Sequence, residues 1–190
     1  MNVELKFITP NALQQIGEYA GICYNSSLEE TACIKRAVSC KDKGHLATLR
    51  FAHATFYVSG ISRACSHQFV RSKHLDFLQR SQRYCKEGST EFVLPNVSPE
   101  ATTILFNHNI ICQETYNKLI ELGIKKEDAR FVLPEATTTE LIVTGNFQAW
   151  LDFINLRADK HAQWEIREVA KTINNILAKE LDNQLFGWMP

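Results

Sequence analysis

The sequence predicts an α+β fold, with helices packed on a small, mainly antiparallel sheet, in a single domain spanning residues 1–190. Three observations predict it. Apolar residues recur at helical spacing in several long segments, whereas β-branched or alternating stretches are few, short and scattered. Strands and helices do not alternate regularly, so βαβ units around a parallel sheet are not expected. The composition is that of an ordinary folded chain: 190 residues, 45% hydrophobic and 22% charged, enough to bury roughly two-thirds of the unfolded surface.

Taken in order, a first helix is expected from Asn11 to Tyr24. Ser27-x-x-Glu30 reads as a capping box, which satisfies two free N–H groups at the start of a second helix. Gly44 is placed to end that helix. Thr55–Ser59 alternates Phe56 and Val58 with Tyr57 and Ser59, a strand pattern broken by Gly60. Ser62 then caps a helix with Cys65, Phe69 and Val70 on its apolar side, fraying before Ser81. Glu91–Leu94 is a short strand candidate stopped by Pro95. Ser98-Pro99 is an N-cap followed by proline at the first helical position, opening a long helix that ends at Gly123. Glu127–Leu133 is a short helix closed by Pro134. Thr138–Thr144 is β-branched and reads as a strand. Phe147, Trp150, Leu151 and Ile154 fall at helical spacing. A last helix lines Ile166, Val169, Ala170, Ile173, Leu177 and Leu181 on one face.

Charge and cysteine content narrow the function classes. The 21 basic and 21 acidic residues cancel, which argues against a non-specific nucleic-acid binder and against a polybasic membrane binder. No apolar run approaches the roughly 18 residues of a membrane span, and the N-terminus has no apolar stretch of signal-peptide length. The six cysteines, at 23, 33, 40, 65, 85 and 112, include no C-x-x-C pair, so no metal site is expected. They read as reduced thiols of a cytoplasmic protein, mostly packing residues.

Overall neutrality hides one biased stretch. Residues 63–86 hold Arg63, Arg71, Lys73, Arg80, Arg83 and Lys86, opposed only by Asp76. Arginine grips phosphate bidentately, and serine and glutamine add neutral hydrogen bonds, so this is the composition of a phosphate or nucleotide pocket. A solvated helix face would have the same composition. The interleaved Phe69, Val70, Leu75, Phe77 and Leu78 distinguish the two, because they pull the segment toward the core, where a guanidinium needs an anionic partner. A second polar cluster spans 155–168, with Arg157, Asp159, His161, Gln163, Glu165 and Arg167. Arg130 is set in the apolar run ARFVLP, where a salt-bridged structural role is the commoner one.

In order along the chain, GH (44–45), SRACSHQFVRSK (62–73), SQRY (81–84), ARFVLP (129–134) and LRADKHAQWEIRE (156–168) resemble the flavin-dependent thymidylate synthases. The signature of that family is R-H-R, seven residues, then S. Arg71-Ser72-Lys73, seven residues and Ser81 reproduce its spacing.

The resemblance implies a homotetramer that binds FAD at subunit interfaces. It implies conversion of dUMP to dTMP, with methylenetetrahydrofolate as carbon donor and NADPH as reductant. Carried onto this chain, dUMP falls to Gln68, Arg71, Gln79, Arg80, Ser81, Gln82, Arg83, Arg130 and Arg157. Ser81 would sit near the reacting pyrimidine, and Arg157 would stabilise a uracil N3 anion. FAD falls to His45, Arg71, Ser72, Lys73, Gln79, Asn146, Gln148 and Asp152.

Several positions depart from the family. Ser72 and Lys73 replace its histidine and second arginine. Lysine keeps the charge but loses the planar fork. The glutamate-histidine pair usual before the first strand is Arg50-Phe51, the arginine usual two residues after Asn146 is Gln148, and Gln79 is also a variant position. Most of these changes fall on the flavin side. Two other activities are consistent with the same motifs: a pyrimidine nucleotide hydroxymethylase, and a catalytically degenerate homologue that binds nucleotide or flavin. Cys85, beside Arg83-Tyr84, is a third idea, a covalent nucleophile activated by neighbouring cations.

Overall fold

The computed structural model describes residues 1–88 and 91–189. Four strands form one antiparallel sheet: β1 (Asn2–Ile8), β2 (His53–Ser62), β3 (Leu75–Gln79) and β4 (Thr138–Asn146), in the spatial order β1-β2-β4-β3. The helices are α1 (Ala12–Ile22), α2 (Glu30–Asp42), α3 (Arg63–Phe69), α4 (Pro99–Glu121), α5 (Lys126–Ala129), α6 (Phe147–Arg157) and α7 (Trp164–Glu180), with 3-10 turns at Leu46–Phe51 and Arg130–Val132. Among the described residues, no helix is long and apolar enough to cross a membrane.

Alternation along the strands decides which face of the sheet is covered. Phe56 and Val58 of β2 and Leu141 and Val143 of β4 point into the core, against Ile16 of α1, Trp150 and Ile154 of α6, and Ile166, Ile173 and Leu177 of α7. Trp150 carries its polar atom into that core and satisfies it, donating from Nε1 to the Ala54 carbonyl at 3.1 Å. The intervening residues pair on the opposite face, where Thr55 and Thr144 hydroxyls lie 2.8 Å apart and the Tyr57 hydroxyl donates to Glu140. Helix α1 crosses α2 so closely that a Cβ at Gly17 would lie 1.8 Å from the Cys33 carbonyl oxygen, a contact that admits only glycine.

The expected helices at 99–121, 147–157 and 164–180 are present, with Ser98 capping α4 through a bond from Ala101 N at 3.3 Å. Elsewhere tertiary pairing overrode local pattern. Strand β1 was not expected; Val3 and Leu5 alternate toward the core once β2 is beside them. The cap of α2 is Glu29 rather than Ser27, because the glutamate backbone is extended and its two oxygens accept from Thr31 N and Ala32 N at 3.2 and 3.0 Å. Ser27 Oγ instead accepts from Glu29 N. Gly60 does not break β2: with φ at 67° it is the bulge through which the strand continues to Ser62.

The largest correction lies after α3. That helix ends at Phe69, and 75–79 is a strand, because the free edge of β4 pairs with it from Leu75↔Gly145 to Gln79↔Leu141. Val70 and Leu78, expected to face the core, are 40% and 79% exposed. The 91–94 strand reduces to a single bridge, Phe92↔Thr137. The expected helix at 127–133 is α5 followed by a 3-10 turn.

Candidate nucleotide and flavin site

The end of β2 delivers Ser62 as the cap of α3, which carries Arg63, His67 and Gln68; the turn after it carries Arg71, Ser72 and Lys73. Phe69 stacks on Phe153 of α6 with ring centroids 4.6 Å apart. That contact brings the end of α3 to the end of α6, where Arg157 is the last helical residue.

Arg157 is half-buried. Its Nη2 donates to the Gln68 carbonyl at 3.1 Å, and its Nε is buried with no hydrogen-bond partner among the described residues. The ordinary surface partners are engaged elsewhere. Asp159 accepts from the His161 backbone N–H and lies 2.8 Å from His161 Nδ1, contacts that hold its carboxyl below the usual range. Glu165 is bound to Ser62. The guanidinium therefore faces the α3–α6 junction without an ion-pair partner among the described residues, a costly arrangement unless an anion completes it.

A cavity of about 400 Å³ opens beside α3, lined by Arg63, His67, Gln82, Arg130, Phe131 and Glu135 among others. Arg63 is half-buried, and its Nη1 makes only long bonds, 3.4 Å each, to the Arg80 carbonyl and Thr139 Oγ1. Burial pulls the Arg63 pKa down; Glu87 and Glu135 oppose that, and the nearby Arg130 adds to it. Arg130 Nε donates to the Glu127 carbonyl at 3.1 Å. Among the described residues, neither arginine forms an ion pair. Two guanidiniums converging on one cavity suit a dianion such as phosphate. Arg63 and His67 are not among the expected site residues; the sequence signals for them are their place in the basic stretch and in the motif SRACSHQFVRSK.

The other expected nucleotide residues divide. Gln79 Nε2 donates to Ser66 Oγ at 2.8 Å and Thr139 Oγ1 at 3.2 Å, which anchors β3 beneath α3. Ser81 is half-buried and accepts from Arg83 N at 3.3 Å. Arg80 is drawn to Glu87 at 3.6 Å and Glu140 at 3.4 Å, and Arg83 to Glu127 at 3.2 Å. Arg83 lines a separate cavity with Tyr84, Lys125 and Lys126. Cys85 is half-buried on the same loop.

On the flavin side, Arg71 and Lys73 are exposed, and Ser72 Oγ is buried without a hydrogen-bond partner among the described residues. Asn146 caps α6 by accepting from Ala149 N at 2.9 Å. Gln148 Oε1 accepts from Arg50 Nε at 2.7 Å. Asp152 is exposed. His45 lines a different cavity, of about 430 Å³, with Tyr24, Arg36, Cys40 and Lys43. The turn of Arg71, Ser72 and Lys73 leads into β3, whose Leu75 pairs with Gly145 beside Asn146, whereas His45 lines the other cavity.

Residues 4–181 match the family model described as thymidylate synthase complementing protein. The Mycobacterium marinum flavin-dependent thymidylate synthase is 40% identical over 147 residues, covering 68% of this chain and 59% of that protein. The Mycobacterium avium protein of the same name is 36% identical over 179 residues, covering 80% of this chain and 70% of its own length. The match to the first of these relatives thus spans less than two-thirds of its length. The crystal structure of thymidylate synthase X from Helicobacter pylori with FAD and dUMP superposes with a TM-score of 0.83 at 20% identity, covering 98% of this chain and 97% of that one. At that identity the likeness shows the fold.

Proposed function

The chain belongs to the thymidylate synthase complementing protein family, and on that premise we propose that it is a flavin-dependent thymidylate synthase, a methyltransferase converting dUMP to dTMP. The single observation that carries this reading is the set of three half-buried guanidiniums, on Arg63, Arg130 and Arg157, that form no ion pair among the described residues. An anionic substrate with a phosphate and an ionisable base would complete all three.

In this reading Arg63 and Arg130 hold the phosphate, with Gln82 beside them. Gln68, Arg71, Gln79, Arg80, Ser81 and Arg83 form the remaining nucleotide wall, Arg80 and Arg83 after exchanging their carboxylate partners. Uracil C5 is a weak nucleophile. With the N3 proton given up to solvent, electron density moves toward C5, and the fixed Arg157 cation stabilises the resulting charge without giving up a proton of its own. Ser81 borders the reacting ring. Carbon arrives from methylenetetrahydrofolate, and no protein nucleophile is required, which leaves Cys85 a packing residue.

The residues present fit a phosphate-bearing cofactor: Ser72 Oγ is a buried hydroxyl without a hydrogen-bond partner among the described residues, flanked by the exposed Arg71 and Lys73. FAD, when bound and reduced by NADPH, supplies the hydride chemistry that completes the methyl group. Arg71, Ser72 and Lys73 would hold it together with His45, Gln79, Asn146, Gln148 and Asp152. Their spread along the sequence, from His45 to Asp152, supports a homotetramer with cofactor shared between subunits; light scattering near 22 kDa in the presence of FAD would count against it. A cytoplasmic setting suits the nucleotide, the folate and the six thiols.

The test is product analysis with dUMP, methylenetetrahydrofolate, FAD and NADPH. The expected product is dTMP with NADPH consumed. Hydroxymethyl-dUMP without NADPH consumption would identify the hydroxymethylase, and nucleotide binding without any product the degenerate homologue.

A further inference from the structure

We infer that Glu165 is a positioning residue for Arg157, acting through α3. The inference rests on the nucleotide reading above.

Glu165 lies in the first turn of α7 and is 3% exposed. Both of its oxygens are spent on one residue: Ser62 N donates to Oε1 at 2.7 Å, and Ser62 Oγ donates to Oε2 at 2.5 Å. Ser62 Oγ in turn accepts from Cys65 N at 3.0 Å, which caps α3. At the opposite end of this seven-residue helix, the Gln68 carbonyl accepts from Arg157 Nη2. Glu165 therefore holds one end of α3, and Arg157 is hydrogen-bonded to the other.

The two charges also address the same interior. Burial pushes the Cys65 thiol pKa up, the Glu165 carboxylate pushes it further, and Arg157 opposes. Cys65 thus lies within the field of both groups, in the body of α3. Among the described residues, the Glu165 carboxylate has no ion-pair partner. Burying a charge is far more costly than burying an amide. What the charge supplies here is simultaneous acceptance from two donors, which fixes both the backbone and the side chain of the α3 cap. A short helix fixed in this way presents the Gln68 carbonyl in one place. Arg157 then meets its ligand in one orientation, the preorganisation on which electrostatic stabilisation depends.

The test is a double-mutant cycle on the FAD-loaded protein, read as dUMP dissociation constants by calorimetry with thermal melts as a folding control. Arg157→Ala should weaken dUMP about thirtyfold and Glu165→Gln about tenfold. The double variant should bind no more weakly than Arg157→Ala alone, because Glu165 acts only through the arginine. A general loss of packing would instead weaken binding by the same factor in both backgrounds. Additive effects, or unchanged dUMP affinity in Glu165→Gln, would overturn the inference. If Glu165→Gln does not fold, Ser62→Ala carries the same cycle, since it removes the hydroxyl that links the carboxylate to the helix. A wild-type protein that takes up no dUMP would overturn the nucleotide reading and this inference with it. Wild-type affinity retained in Arg157→Ala would overturn the role of that arginine and, with it, this inference, while leaving the nucleotide reading in place.

Discussion

Arg50 Nε donates to Gln148 Oε1 at 2.7 Å, joining the turn before β2 to the first turn of α6. These positions are 98 residues apart, and at both the chain differs from the residues expected from its family resemblance. The resemblance leads one to expect glutamate at the first and arginine at the second; here arginine and glutamine are joined by one hydrogen bond, which couples the two positions.

That coupling predicts sign epistasis in FAD affinity. Gln148→Arg alone sets two guanidiniums against each other and should weaken FAD about two- to fivefold. Adding Arg50→Glu should restore it. Flavin fluorescence titrations of the three proteins in one buffer check this; a tighter single variant would show the positions to be independent.

Arg157→Ala should lower kcat by roughly a hundred- to a thousandfold, the range for loss of one preorganised charge-stabilising group. Flavin content should be unchanged, since Arg157 contacts α3 and not the flavin residues. Absorbance of the purified variant and its turnover under saturating dUMP measure the two effects separately.

Lys73→Arg should tighten FAD about three- to tenfold, because the guanidinium offers two parallel donors where the ammonium is a point charge. Lys73 is exposed, so the change requires no repacking. The check is the FAD dissociation constant against wild type. Weaker binding would mean that the pocket is built around lysine.

The Tyr57–Glu140 contact should contribute to stability in a defined pH window. The Tyr57 hydroxyl, then Arg80, lowers the Glu140 pKa below 4.5, while Glu140 raises that of Tyr57 above 10. The carboxylate contribution is present above the unfolded pKa and is lost as pH falls through the lowered folded value. The tyrosine contribution is present below its unfolded pKa and is lost as pH rises through the raised one. Tyr57→Phe should cost about 1 kcal/mol at pH 7, the low end for a charged hydrogen bond because Glu140 is partly exposed. The difference from wild type should shrink at pH 3 in denaturant titrations.

The sequence by itself determined the helices α4, α6 and α7, because periodicity and caps such as Ser98-Pro99 are local and survive in any tertiary context. It also marked residues 63–86 as a candidate phosphate pocket, since arginine, serine and glutamine are the residue types that bind phosphate. Only the tertiary structure decided β1 and β3, short segments that became strands because β2 and β4 offered them an edge. In the same way it separated arginines of identical local appearance. Arg80 and Arg83 find carboxylates at Glu140 and Glu127, brought near from far along the chain. Arg63, Arg130 and Arg157 meet none among the described residues. Whether a charge is paired depends on residues tens of positions away, and that information exists only once the chain has folded.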